Sequence, residues 1–150
     1  MEVKIYLKGS SIIKDEKMRT IVLLKTDKNE ITRMFEFNKR GSPLEAEYLA
    51  LIKIADGLKN LKNCLTSVKI FSTIEVMVRQ IEGRFRVSSK EIIPLYLKLM
   101  KSLRDFNYSI HWISKEEMSK VLRFPVDEIS EEKLRTLLDR VDFDIEDLWV

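Results

Sequence analysis

In KIYLKGSSII, residues 4–13, an apolar alternating run gives way to Lys8, Gly9 and two serines, so a cation stands where a strand would hand side chains to a site. A second such place is Ser72, which closes the run SVKIFS, and Thr73 after it, just before a helix pattern. Free amides and the positive end of a helix there would attract a phosphate oxygen. Basic side chains also recur in stripes. Lys98, Lys101 and Arg104 step by three, Arg79, Arg84 and Arg86 flank Gly83, and Lys53, Lys59 and Lys62 follow the later part of an earlier helix pattern. Stripes of this kind neutralise phosphates, although a solvated helical face in a Lys-rich chain gives the same pattern. Other chemistries lack their residues. Cys64 is the one cysteine and His111 the one histidine, which excludes an internal disulfide and a Cys/His zinc set. Cys64 reads as a small buried or half-buried hydrophobe, and His111, in YSIHWI, as a half-exposed strand residue.

The elements that must position these groups are readable from periodicity. VKIYLKG, MRTIVLLKTD and EITRMFEFNKR are strand-like, and Asp27, Lys28 and Asn29 separate the last two, which predicts an antiparallel meander. In SPLEAEYLALIKIADGLKNL, Ser42 serves as N-cap, Pro43 takes the first helical position and Glu45 completes a capping box. SVKIFS is a short buried strand feeding a helix that stops at Gly83, with Ser72 and Glu75 as a second box. Ser88 and Glu91 open a further helix through SSKEIIPLYLKLMKSLRDF, with Pro94 near its first turn. NYSIHWI is the last strand, and Ser114 with Glu117 caps a short helix that Pro125 ends. Glu45 and Glu75 are thereby explained as capping residues, not ligands. The order predicts an α/β fold: a five-stranded mixed sheet flanked by helices, with an extra C-terminal helix and tail from about residue 130.

At 150 residues the chain is the size of one domain, and its 45% apolar and 34% charged residues suit a soluble globular protein. It lacks an apolar run of membrane-spanning length, and the absence of a secretory leader together with the lone cysteine points to the cytoplasm. The Lys and Glu richness suits a hot environment. The net charge of +3 conceals an asymmetry, because residues 126–150 carry −6 and residues 1–125 carry +9. The expected organisation is a domain over 1–125 and an acidic helix and tail over 126–150. In that tail DFDIEDLWV interleaves carboxylates with Phe143, Ile145, Leu148 and Trp149. The pattern suits packing on this domain's own surface or a peptide offered to a partner's groove. Folded over the basic body, it would compete with nucleic acid in a salt-sensitive way. Tyr6, Phe35, Phe37, Phe71 and Trp112 fall on strand patterns and are expected in the core, not as base-stacking platforms.

The order of elements, with LKGSS (7–11), SPLEAEYLALI (42–52), KIFSTIEVMVRQIEG (69–83), GRFRVSSKEIIPLYLKLM (83–100) and HWISKEEMSKVL (111–122), resembles the archaeal and bacterial type 1 ribonucleases H over roughly residues 3–124. The resemblance implies a site of four carboxylates holding two divalent cations for phosphodiester hydrolysis. Carried over one at a time, those positions hold Lys8, Glu47, Thr73 and Leu122, so one carboxylate of four remains. The family's glycine-rich loop corresponds to SSIIKDEKM, and its Asn-Asn pair to Pro43 and Leu44. The resemblance therefore implies a ribonuclease H-like pseudoenzyme with no catalytic residue, no metal and no cofactor.

Two roles for Lys8 stand side by side: an ion pair with Glu47 that replaces the metal charge, or a contact to a nucleic-acid phosphate. The expected partner is nucleic acid, bound weakly through its backbone by Lys8, Ser72, Thr73, Arg79, Arg84, Arg86, Lys98, Lys101 and Arg104, or a protein of a nucleic-acid-processing complex. A scaffold using the old substrate face or the tail is the alternative. An active hybrid nuclease would need ligands from a partner chain.

Overall fold

The computed structural model describes residues 1–12, 17–61 and 63–123. Strands β1 (Glu2–Ile12), β2 (Lys17–Lys25) and β3 (Glu30–Phe37) form the expected antiparallel meander. Helix α1 (Pro43–Leu58), with a 3₁₀ turn at Lys59–Leu61, leads into β4 (Ser67–Ser72). Helices α2 (Glu75–Ile81) and α3 (Ile92–Leu103) lead to β5 (Tyr108–Trp112), and α4 (Lys115–Leu122) follows. The sheet order is β3-β2-β1-β4-β5, with β4 parallel to β1 and β5 parallel to β4. The expected C-terminal helix and tail, the boundary at 125 and Lys62 lie outside the described residues. Among the described residues no helix is long and apolar enough to cross a membrane.

Alternation assigns the faces. Val3, Ile5 and Leu7 of β1 point into the main core with Val68 and Ile70 of β4, beneath Leu51, Ile54 and Leu58 of α1 and Leu99 and Leu103 of α3. Each of these buried aliphatic side chains contributes roughly 1.5–3 kcal/mol of transfer free energy. The other face of the sheet is covered at its β2–β3 end by α4, where Met118 and Leu122 pack on Ile21, Leu23 and Met34. Covered on both sides, β2 is buried without interruption from Met18 to Leu24.

Two capping expectations hold. The Ser42 side chain accepts from the Glu45 amide at 3.2 Å, and that of Ser114 from the Glu117 amide at 3.1 Å. Two others are corrected. The N-cap of α2 is Ile74, with no side-chain cap, because the Ser72 hydroxyl is directed into the protein. The N-cap of α3 is Glu91, and Ser89, not Ser88, organises that turn: its carbonyl accepts from the Ile92 and Ile93 amides and its hydroxyl donates to Glu91. Strand β1 does not end at Lys8 but continues in register with β2 to Ile12. Helix α4 ends at Leu122 with Arg123 in the left-handed region, φ 66°, ahead of Pro125. Cys64 is exposed, not buried, and Trp112 keeps 51% of its surface, which removes both from the expected core.

Candidate functional site

Glu47 lies in the second turn of α1, fully buried and aimed at the seam between β1 and β4. The pairing of those strands ends at Leu7 opposite Ser72, so the next inward amide of β1, that of Gly9, has no strand partner on that side. Glu47 supplies the missing acceptor, its Oε2 receiving the Gly9 N–H at 3.0 Å. Its Oε1 receives the Ser72 hydroxyl at 2.5 Å. Gly9 is required for this approach, since a Cβ there would stand 2.3 Å from the Pro43 carbonyl oxygen and 2.9 Å from Glu47 Cγ. Ser72 is equally committed: its oxygen also accepts from the Ile74 amide at 3.0 Å, and its carbonyl from the Ile113 amide at 3.0 Å.

Burial dominates the electrostatics here and pushes the Glu47 carboxyl up to about 7, with the Ser72 and Gly9 hydrogen bonds and the Lys8 charge acting in the opposite direction. Lys8 does not form the expected ion pair with Glu47. The Cβ direction of Gly9 faces α1, so its neighbour Lys8 points to the opposite face of the sheet, and only a long-range attraction remains. Leu122 is likewise on that opposite face, in the packing of α4. Thr73 is half-buried at the mouth of the seam, and its carbonyl accepts the Trp112 indole N–H at 3.1 Å. The structure thus brings Glu47, Ser72 and Thr73 together and leaves Lys8 and Leu122 out.

The divalent cations implied by the sequence resemblance do not fit these residues. Glu47 has both oxygens engaged by donors, and its neighbours are a hydroxyl and backbone groups. Among the described residues no three His, Cys, Asp or Glu side chains gather as a metal set. Nor does Ser72 remain free to hold a phosphate, and α2, seven residues long, offers only about two turns beyond it.

The basic candidates divide into two groups. Arg79 is held within α2 by Glu82 at 2.9 Å and Glu75 at 3.7 Å, and Arg84 lies 3.6 Å from Glu82. Arg86, Lys98, Lys101 and Arg104 are exposed and enter no ion pair among the described residues. Of the first-helix lysines, Lys53 lies 5.4 Å over the Phe37 ring and Lys59 pairs with Asp56 at 3.3 Å. Phe143, Ile145, Leu148 and Trp149 lie outside the described residues. Sequence reasoning missed Gly9 as the donor to Glu47, although a glycine inside a strand signals close backbone approach.

A mixed sheet of this order, with α1 packed on β1 and β4 and carrying a buried carboxylate, defines a ribonuclease H-like fold. The family described as reverse transcriptase-like matches residues 14–121, and the chain belongs to it. The fold is similar to that of the N-terminal RNase H domain of a Mycobacterium tuberculosis protein, at 19% identity, TM-score 0.66, and 87% and 100% coverage of the two chains. It is also similar to RNase H1 of the halophilic archaeon Halobacterium salinarum, at 16% identity, TM-score 0.68, covering 91% of this chain and 99% of that one. A third similar structure is LC11-RNase H1 in complex with an RNA/DNA hybrid, at 20% identity, TM-score 0.68, with coverage of 91% and 99%.

Proposed function

We propose that this chain is a ribonuclease H-like domain that binds nucleic acid through its backbone without cutting it, alone or as a subunit of a nucleic-acid-processing assembly. The observation that carries the reading is the state of Glu47. The one carboxylate at the four positions that the resemblance assigns to metal is buried and spends both oxygens on Gly9 and Ser72. A carboxylate used in this way is a structural acceptor, and freeing it for a cation would orphan a buried amide and a buried hydroxyl. Lys98 and Lys101 on the exposed face of α3, Arg104 at its C-cap and Arg86 before it, which enter no ion pair among the described residues, supply the positive surface for phosphates. The hybrid in the LC11-RNase H1 complex makes an RNA/DNA duplex the first ligand to test.

A second reading, a protein-interaction domain, is favoured by Ile93 and Leu97, which lie one turn apart on α3 and remain 38% and 61% exposed. Fluorescence anisotropy with labelled hybrid, duplex DNA and single-stranded RNA over a salt series separates the two. Nucleic-acid binding predicts affinity that falls steeply with salt for Lys98, Lys101 and Arg104 to act on. An absence of binding at low salt overturns it in favour of the apolar strip.

A further inference from the structure

The outward face of α3 changes character along its length. Ile92, Leu99 and Leu103 are buried in the core, which leaves Ile93, Leu97, Lys101 and Arg104 as one exposed stripe at helical spacing. Tyr96 and Met100 run half-buried along its flank. Ile93, Tyr96, Leu97 and Met100 stand at i, i+3, i+4 and i+7, the four positions that bound a hole for one side chain of a facing helix. One turn further on, the next such set is Leu97, Met100, Lys101 and Arg104, where cations replace half of the apolar wall. Leu97, at the junction, is the most exposed large apolar side chain among the described residues.

Charge selects the occupant. From Ile92 to Arg104 the helix carries no carboxylate. The acidic groups at its borders are engaged or lie beyond the stripe: Glu91 accepts from Ser89, Asp56 of α1 accepts from Ser102 and pairs with Lys59, and Asp105 follows the last cation. A second copy of α3 does not fit. Packed antiparallel, it lays its cations on the apolar half, and packed parallel, it sets like charges against each other. Phosphates account for the basic half alone, since aliphatic side chains offer them no donor. We propose that this stripe docks an acidic amphipathic helix of a partner protein. The partner sets an apolar side chain among Ile93, Tyr96, Leu97 and Met100, and carboxylates one turn away against Lys101 and Arg104. It runs antiparallel to α3, because its carboxylates then fall in its own first turns, where the helix end favours negative charge. The inference rests on the protein-interaction reading and gives that partner its chemistry. Because it uses the cations that would meet phosphates, the docked helix and nucleic acid exclude one another.

The probe is a fluorescein-labelled helical peptide with Glu in its first two turns and Leu at i, i+3 and i+7 in the turns that follow, all on one face. Its twin carries Lys in place of every Glu. The full chain should bind the acidic peptide and hold the twin at least about tenfold more weakly. The double variant Ile93→Ala, Leu97→Ala, its fold checked by far-ultraviolet circular dichroism, should also lose at least about tenfold in affinity for the acidic peptide. Its affinity for an RNA/DNA hybrid and the salt slope of that binding should match wild type, because no charge has changed. Equal binding of the two peptides overturns the inference and leaves the protein-interaction reading standing. Binding of neither at about 1 mM overturns both. Wild-type peptide affinity in the double variant overturns the inference, as does a parallel loss of hybrid affinity, which would assign the apolar half to nucleic acid. Self-association of the wild-type chain that the double variant abolishes overturns it too, by giving the stripe to a second copy.

Discussion

Glu47 and Ser72 are separated by 25 positions in the chain and by 2.5 Å in space, and this hydrogen bond, with the one from Gly9, ties α1 to the two central strands. It gives this buried carboxylate a mechanical role. Several measurable properties depend on it.

Stability should depend on the protonation of Glu47. Burial raises its carboxyl from 4.5 to about 7 in the folded state, so between those values the folded chain holds a proton that the unfolded chain has released. Its contribution is therefore fully present below the lower value and is lost as pH rises through the upper one. The difference in unfolding free energy between wild type and Glu47→Gln should decline by roughly 2–3 kcal/mol from about pH 5 to pH 8. Urea unfolding across that range measures it, and a flat difference contradicts the assignment.

Replacing Ser72 by alanine leaves Glu47 Oε1 and the Ile74 amide without their partner. The expected cost is about 1–3 kcal/mol. Because the Ser72 hydrogen bond lowers the Glu47 carboxyl, its titration should also move to higher pH in the variant. A stability loss without that movement would place the effect in packing.

Gly9→Ala should destabilise by about 2–4 kcal/mol, since the new Cβ would meet the backbone of Pro43. Gly83→Ala offers the contrast. Nothing lies near its Cβ position, and only its positive φ of 81° opposes the change, at about 1 kcal/mol. Denaturant midpoints of the two variants should fall in that order.

These sites show why parts of the fold were legible in the sequence and parts were not. Ser42 and Ser114 cap helices because no distant group competes for their hydroxyls, so the local Ser-x-x-Glu pattern sufficed. The same pattern at Ser72 misled because a buried carboxylate from α1 took the hydroxyl, a contact that local spacing does not encode. One of the two roles weighed for Lys8, the ion pair with Glu47, fails for a related reason. Equivalence to a metal position suggested contact with Glu47, whereas the two-residue period of β1 sends neighbouring side chains to opposite faces. The element order was recoverable because strand alternation and helix periodicity are strong over the lengths involved. Exposure at Trp112 and Cys64 was not, since it depends on which strand forms the edge and where α1 runs out.

The proposed phosphate surface makes a quantitative demand. Lys98→Glu with Lys101→Glu removes two contacts, so the slope of log affinity against log salt should become shallower by about two. Both side chains are exposed, so stability should change little. An unchanged slope would remove α3 from the interface.

The central claim, that Glu47 serves as an internal acceptor and not as a metal ligand, is tested most directly by prolonged incubation of an end-labelled RNA/DNA hybrid with excess protein, with Mg²⁺ or Mn²⁺ and with chelator, for wild type and Glu47→Gln. The hybrid should remain intact in every lane, including those in which anisotropy shows it bound. Metal-dependent cleavage by wild type that is lost in Glu47→Gln would contradict the claim and return this chain to the nucleases.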